Sequence, residues 1–145
     1  MTVAGDPRHV LFRAAGERFA LPLAAVREVV TPQPPFSRVP RTSDAVRGVM
    51  NLRGRVVAVV DLAALVGLAP QVLAGGSGQV VVLDRARRGL GLLIDAVVGV
   101  EAIDLPGGAS SGGVVLGLSS VRGAAVNVLD AEALAAQARA LFGGR

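Results

Sequence analysis

Hydrophobic and polar positions alternate in short runs along most of the chain, a pattern typical of β-strands. The clearest case is a pair of runs, Val49–Leu52 and Val56–Val60, on either side of the polar turn Arg53–Gly54–Arg55. Two such runs around a glycine-containing turn predict a β-hairpin. Asp61 follows the second run and is placed to cap a short helix, Leu62–Val66.

The same alternation predicts strands before and after this hairpin. They are Val10–Arg13, Arg18–Leu23, Gln79–Asp84, Leu90–Asp95, Ala96–Ile103, Val114–Leu118 and Ala124–Leu129. One helical turn is expected at Ala24–Val26. The extended segment after it places Val26, Glu28 and Val30 on one side and Arg27 and Val29 on the other. Asp130 is placed to cap the longest predicted helix, Ala131–Phe142.

Two segments have the composition of connections. Thr31–Pro40 contains four prolines, which predicts a stiff loop. Leu73–Gly78 reads LAGGSG and resembles a phosphate-binding loop only superficially, because it lacks the Gly-Lys-Ser/Thr ending and precedes a strand. We interpret it as a linker.

The chain contains an internal repeat. Arg53–Leu65 aligns without gaps on Arg122–Leu134, and the apolar positions of residues 19–29 match those of residues 90–100. The repeat predicts two similar β units of about five short strands each, one over about residues 7–72 and the other over about 79–130, with the helix 131–142 after them. Five strands in so few residues tend to close into a small barrel, and two such barrels need each other's surface to bury a core. Chance similarity among valine-rich strands is the alternative.

Composition narrows the class of protein. Hydrophobic residues make up 52% of the 145 residues, but aromatic residues only 3%, so the core must consist of Val, Leu and Ala. No apolar run reaches the roughly 18 residues of a membrane span, and the N-terminus lacks the apolar segment of a signal peptide, which predicts a cytoplasmic protein without membrane insertion. The chain has no cysteine, and His9 alone cannot form a metal site. We therefore expect no metal, no cofactor and no catalytic residue.

The formal net charge is +4, and every basic residue other than His9 is an arginine. The excess lies in residues 1–75, with nine arginines against five acids. A basic face attracts anionic partners, either a nucleic acid or an acidic protein surface. Because the chain has no aromatic platform on which bases could stack, a protein partner is favoured. A nucleic-acid-binding small barrel is kept as the alternative.

Several stretches together resemble the CheW family of bacterial chemotaxis coupling proteins. GVMNLRGRVVAVVDL resembles the family signature; LFRAAGERFALPLAAVREV precedes it, and GLGLLIDAVVGV and VNVLDAEAL follow it in the family's order. The resemblance covers residues 9–137 and implies a single domain, about residues 7–142, of mainly β structure. That domain would contain two packed five-stranded SH3-like barrels and a C-terminal helix.

The resemblance also implies a function. The chain would be a non-enzymatic adaptor, located in the cytoplasm at receptor arrays. It would couple the cytoplasmic tip of methyl-accepting chemoreceptors to the regulatory domain of a CheA-type histidine kinase, in chemotaxis or motility signalling. The receptor tip is expected in an apolar groove between the two barrels and the kinase domain at a separate barrel end, with no nucleic acid involved.

Partner-binding residues follow from the motif, residue by residue. Glu28 and Arg53 match an acid and an arginine that matter for coupling in the family, and they are expected to form an ion pair. The remaining expected partner-binding residues are Val26, Gly48, Asn51, Gly54, Val56 and Gly99. Without the resemblance, Arg53 is equally well explained as a solvated turn residue, and Gly48 and Gly54 as residues that supply backbone freedom.

Overall fold

Two five-stranded sheets and a C-terminal helix dominate the computed structural model of the protein, which describes residues 6–32, 36–37, 43–69, 77–84, 89–104 and 113–142. The strands are β1 (Arg8–Ala14), β2 (Glu17–Pro22), β3 (Val26–Val30), β4 (Val46–Leu52), β5 (Arg55–Asp61), β6 (Gln79–Leu83), β7 (Leu90–Ile94), β8 (Ala96–Ala102), β9 (Val115–Val121) and β10 (Ala124–Leu129). A short 3-10 helix lies at Leu23–Ala25, and the α-helices are α1 (Leu62–Leu65) and α2 (Ala131–Ala140). Most of the predicted loop Thr31–Pro40 and linker Leu73–Gly78 lies outside the described residues.

Strands from both halves of the chain build each sheet. One sheet, here barrel 1, has the order β8-β1-β2-β10-β9, and the other, barrel 2, has the order β3-β6-β7-β5-β4. The prediction that residues 7–72 form one β unit and residues 79–130 the other is therefore wrong, because each sheet contains strands from both ranges. The halves exchange strands: β1 and β2 complete the sheet of β8–β10, while β6 and β7 complete the sheet of β3–β5.

The two sheets have the same construction, which confirms the internal repeat. Phe19 of β2 pairs in parallel with Asn127 of β10, and the equivalent Leu90 of β7 pairs in parallel with the equivalent Ala58 of β5. A register shift follows Val26 in the β3–β6 pair. The same shift follows Val97, the repeat equivalent of Val26, in the β1–β8 pair. Chance similarity between valine-rich strands would not reproduce both the register of the parallel pairs and the position of the register shift.

Three hairpins have the same two-residue turn. Its first residue has φ of +51° in each case, and its second is a glycine with φ near +80°: the turns are Ala15–Gly16, Arg53–Gly54 and Arg122–Gly123. Two consecutive residues with positive φ characterise the turns whose twist suits two-residue β-hairpins. The arginine of the predicted Arg53–Gly54 turn is thus held in a conformation that non-glycine residues rarely adopt.

Each half ends in a helix capped by an aspartate, as predicted. Asp61 accepts a hydrogen bond from the Ala63 amide at 3.0 Å, and Asp130 accepts hydrogen bonds from the amides of Glu132 and Ala133 at 3.0 and 3.2 Å. An acceptor at this position satisfies amides that the first helical turn leaves free. Asp61 is fully buried, and its carboxylate also lies 3.8 Å from the Arg47 guanidinium.

The largest hydrophobic cluster lies between the sheets and joins them into one body. It includes side chains from β1, β2, β6, β7 and both helices, among them Phe12, Phe19, Leu21, Leu92 and Leu134. Two smaller clusters fill the barrels themselves. Leu11, Ala20, Ile103, Val126 and Val128 line the interior of barrel 1, and Val59, Val80, Val82 and Leu93 line that of barrel 2. Strands β6 and β7 are consequently buried on both faces.

Gly48 permits a close approach at the edge of barrel 2. Ser37 and Val49 exchange backbone hydrogen bonds of 2.8 and 3.0 Å, which bring residues 36–37 against β4. A Cβ on Gly48 would lie 2.6 Å from the Ser37 carbonyl oxygen and 2.7 Å from the Phe36 Cβ, and the φ of Gly48 is +136°. Position 48 therefore excludes every side chain.

We predict that Gly48→Ala lowers the free energy of unfolding by about 2–3 kcal/mol, because the added methyl group is both overpacked and attached to a strained backbone. Gly99→Ala is the matched control, since nothing lies within 4 Å of a Cβ there. Chemical denaturation of both variants measures the difference. Equal stability of the two variants would contradict this explanation.

Candidate functional site

A groove of about 750 Å³ opens at one end of barrel 2. It lies where the β4–β5 turn and the chain ends of β6 and β7 meet β3. Its lining residues come from all these elements: Arg27, Glu28, Leu52, Arg53, Arg55, Val56, Val57, Val82, Leu83, Asp84 and Gly89. Three of the predicted partner-binding residues, Glu28, Arg53 and Val56, line this groove.

The β4–β5 turn presents Arg53 to the groove. Asn51 accepts a hydrogen bond from the Gly54 amide through its Oδ1 at 2.8 Å, which holds the turn from the β4 side. Gly54 has φ of +83°, a conformation that suits glycine. Asn51 and Gly54 therefore support the turn, while the side chain that faces the groove is Arg53.

Arg53 and Glu28 form the ion pair that the sequence predicts. The Nη2 of Arg53 donates to the Oε2 of Glu28. Glu28 lies on β3 and Arg53 on the β4–β5 turn, which belong to opposite edges of the same sheet. The pair shows that the sheet curls until its edges meet, and it closes barrel 2 at this end.

The arginine is much more exposed than the acid. The side chain of Arg53 is 67% exposed, and that of Glu28 is 23% exposed. The Nε of Arg27 lies 3.9 Å from the same Oε2 of Glu28. One carboxylate is thus shared by two guanidinium groups, and the site keeps a positive excess.

A β-bulge brings Arg27 to the groove. Val26 pairs with Leu83 and Glu28 with the next residue of β6, Val82, so that Arg27 is an extra residue in β3. Simple alternation predicts that Arg27 and Glu28 point to opposite sides of the strand, and this prediction is wrong because a bulge interrupts the alternation. Both residues line the groove.

The rest of the groove mixes apolar and charged side chains. Val56 is 66% exposed, an unusually open position for valine, and it follows Arg55 on β5. Asp84, after β6, and Gly89, before β7, also line the groove. The sequence predicts an apolar groove between the barrels, whereas the described residues that line this groove belong to barrel 2 and are partly polar.

The predicted site residues fall into three groups. Glu28, Arg53 and Val56 line the groove, and Asn51 and Gly54 support its turn. Val26 packs against the main core, and the missing side chain of Gly48 is explained by the approach of Ser37. Gly99 lies on β8 in barrel 1, opposite Leu11, and is the repeat equivalent of Glu28. A partner-binding role stays a prediction for all eight residues.

Sequence reasoning missed several lining residues, notably Arg27, Arg55 and Asp84. Arg27 and its repeat equivalent Val98 are both extra residues at a bulge, which only the strand pairing reveals. Nothing in the local sequence places Asp84 near Arg53, since Asp84 follows β6 and the β4–β5 turn belongs to the other half of the chain; the two meet only because both halves contribute strands to one sheet.

Neither a metal-binding cluster nor a membrane-spanning helix occurs in the described part of the chain. No set of three or more His, Cys, Asp or Glu side chains in the described part of the chain lies close enough to hold a metal ion. Within the same residues, no helix combines the length and hydrophobicity that crossing a membrane requires.

Comparison with protein-family models gives a match over residues 8–139 to the CheW-like domain. The chain belongs to the CheW-like domain family. This family consists of non-enzymatic scaffold and adaptor domains of chemotaxis signalling.

Two curated relatives and one solved structure agree with membership of the CheW-like family. The chain is 34% identical over 94 residues to the probable chemotaxis protein CheW of Rhizobium etli, and 31% identical over 90 residues to the protein PilI of Pseudomonas aeruginosa. These alignments cover 64% and 62% of the chain but only 59% and 49% of the relatives' own lengths.

The scaffolding protein TtCheW of Thermoanaerobacter tengcongensis has the same fold, with a TM-score of 0.71 over 85% of this chain and 88% of that one, at 23% identity. The predicted fold of two SH3-like subdomains with a C-terminal helix is thereby confirmed.

We predict that the coupling energy between Arg53 and Glu28 is about 0.2–1 kcal/mol, because the pair is largely exposed and therefore screened by water. A double-mutant cycle of Arg53→Ala, Glu28→Ala and both together, measured by chemical denaturation, gives this energy. A coupling energy of several kcal/mol would show that the pair is a structural requirement of the barrel and not mainly part of a binding surface.

Proposed function

We propose that this CheW-like domain couples the cytoplasmic tip of a chemoreceptor to the regulatory domain of a CheA-type histidine kinase, at receptor arrays in the cytoplasm. The observation that carries this proposal is the groove at the end of barrel 2. The groove is built around the ion pair of Arg53 and Glu28. These two residues match the arginine and the acid that matter for coupling in the family.

The proposed mechanism needs only geometry. The groove is preformed, since three hairpin or strand ends of one barrel fix its walls, and a preformed surface loses little entropy on binding. The main core joins the two barrels into one body, so a partner on one barrel has a defined position relative to a partner on the other. An adaptor with these properties transmits position from receptor to kinase without a chemical step.

Arg53 contributes orientation to this surface. Its guanidinium is planar and presents several donors in a fixed arrangement, and the ion pair with Glu28 restricts the side chain before a partner arrives. Val56 contributes an exposed apolar contact beside it. Apolar contacts next to a fixed charge are typical of protein–protein interfaces.

We expect Arg53→Glu to weaken binding to one of the two proposed partners about tenfold or more, because the new carboxylate repels Glu28 and any partner acid that Arg53 engages. Binding is measured by isothermal titration of the full chain with a receptor hairpin tip and, separately, with the kinase regulatory domain. The free energy of unfolding should change by no more than about 1 kcal/mol.

The matched control is Arg122→Glu, which reverses the equivalent arginine in barrel 1, where Arg122 donates to Glu101 at 3.0 Å. If Arg53→Glu and Arg122→Glu weaken the same partner equally, the effect reflects net charge and not this groove. If the wild-type chain binds neither partner, the proposed coupling function is wrong. If Arg53→Glu unfolds the chain, Arg53 is structural.

A further inference from the structure

Two arginines of the groove remain without a full charge partner. Arg27 shares Glu28 with Arg53, at the longer distance of 3.9 Å. Arg55 makes no ion pair with any residue that the structure describes, and it is exposed. Because Arg53 already engages Glu28, the groove presents more positive than negative charge near Val56.

The internal repeat shows that the fold does not need these arginines. Arg27 is the extra residue of the β3 bulge, and its equivalent in β8 is Val98. Arg55 follows the Arg53–Gly54 turn, and its equivalent after the Arg122–Gly123 turn is Ala124. The same backbone therefore forms with a valine and an alanine at these positions.

The groove also disfavours a nucleic acid as the occupant. Glu28 and Asp84 face the same space, and their carboxylates repel a continuous phosphate backbone. None of the described residues that line the groove is aromatic, so they give bases no stacking surface. A protein segment that carries one or two isolated carboxylates can place them beside Arg27 and Arg55 and still avoid the two acids.

We propose that Arg27 and Arg55 are specificity-determining residues, which select a partner segment that carries carboxylates on either side of an apolar side chain seated on Val56. This inference rests on the proposed adaptor function and adds the chemistry of the partner surface. The charges act mainly by speeding productive encounters and by rejecting partners with basic side chains at these positions.

The test uses the full chain and whichever of the two proposed partners it binds. The variant Arg27→Val/Arg55→Ala carries the residues that the repeat already has at these positions, so its melting temperature should equal that of the wild type. We expect its affinity to fall about tenfold at 50 mM salt, as two exposed charge contacts are lost. The decrease of affinity between 50 and 300 mM salt should also become smaller.

Arg13→Ala/Arg18→Ala is the matched control. These exposed arginines face each other across β1 and β2 at the corresponding end of barrel 1, and their removal takes away the same charge. Arg27→Lys/Arg55→Lys retains the charge and should keep most of the affinity. Replacement of the partner's acids by their amides should produce the same loss as the Arg27→Val/Arg55→Ala variant.

Two outcomes overturn the inference while the adaptor function stands. One is wild-type affinity and salt dependence in Arg27→Val/Arg55→Ala; the other is an equal loss in the Arg13→Ala/Arg18→Ala control. Salt-sensitive binding of a labelled 20-nucleotide single strand that disappears in Arg27→Val/Arg55→Ala would also overturn it, because the occupant would then be a nucleic acid. If the wild type binds neither partner protein, both the function and the inference fail.

Discussion

The exchange of strands between the two halves of the chain is the constraint on which the rest of the structure depends. Barrel 2 takes β3, β4 and β5 from the first half, but β6 and β7 of the second half lie between β3 and β5. Glu28 on β3 and Arg53 beside β5 are therefore positioned by strands that follow them in sequence. Since backbone groups inside a sheet need hydrogen-bond partners, neither half alone can set the width of this barrel. The groove is thus a product of both halves, although the motif that marks it lies entirely in the first.

Duplication has given the domain two ends with one backbone and different surfaces. The Arg53–Gly54 and Arg122–Gly123 turns have the same positive φ values, and each arginine pairs with a glutamate from the opposite edge of its sheet. At the extra position of the bulge, barrel 2 carries Arg27 and barrel 1 carries Val98. The part of this arrangement that both barrels share closes the barrel. The part that differs between them defines the surface that each barrel end offers for binding. Two dissimilar ends on one rigid body are what an adaptor between dissimilar proteins requires.

Local rules predicted the elements well, because each element has its own signal in the sequence. Alternating valines mark β5, the pair Arg53–Gly54 marks its turn, and Asp61 and Asp130 mark helix starts through hydrogen bonds that cross only two or three residues. The repeat predicts which segments are alike, but it does not predict which segments pair. A strand buries the same apolar face whether it pairs within its own half of the chain or with the other half. For the same reason Asp84 was missed at the groove. Arg27 was placed on the wrong side because a single bulge reverses every alternation argument that passes through it.

The position of the acid distinguishes the two ends further. In barrel 2 the acid that meets the turn arginine is Glu28, whose repeat equivalent in barrel 1 is Gly99, with open space around it. In barrel 1 the acid is Glu101, two residues farther along β8. Both acids reach their arginines because the arginine side chain is long and flexible, so the closing pair tolerates this shift. The shift leaves a bare backbone at Gly99 where barrel 2 has a charged side chain shared by Arg53 and Arg27. The two ends therefore present different charges and shapes, even though their strands share one register.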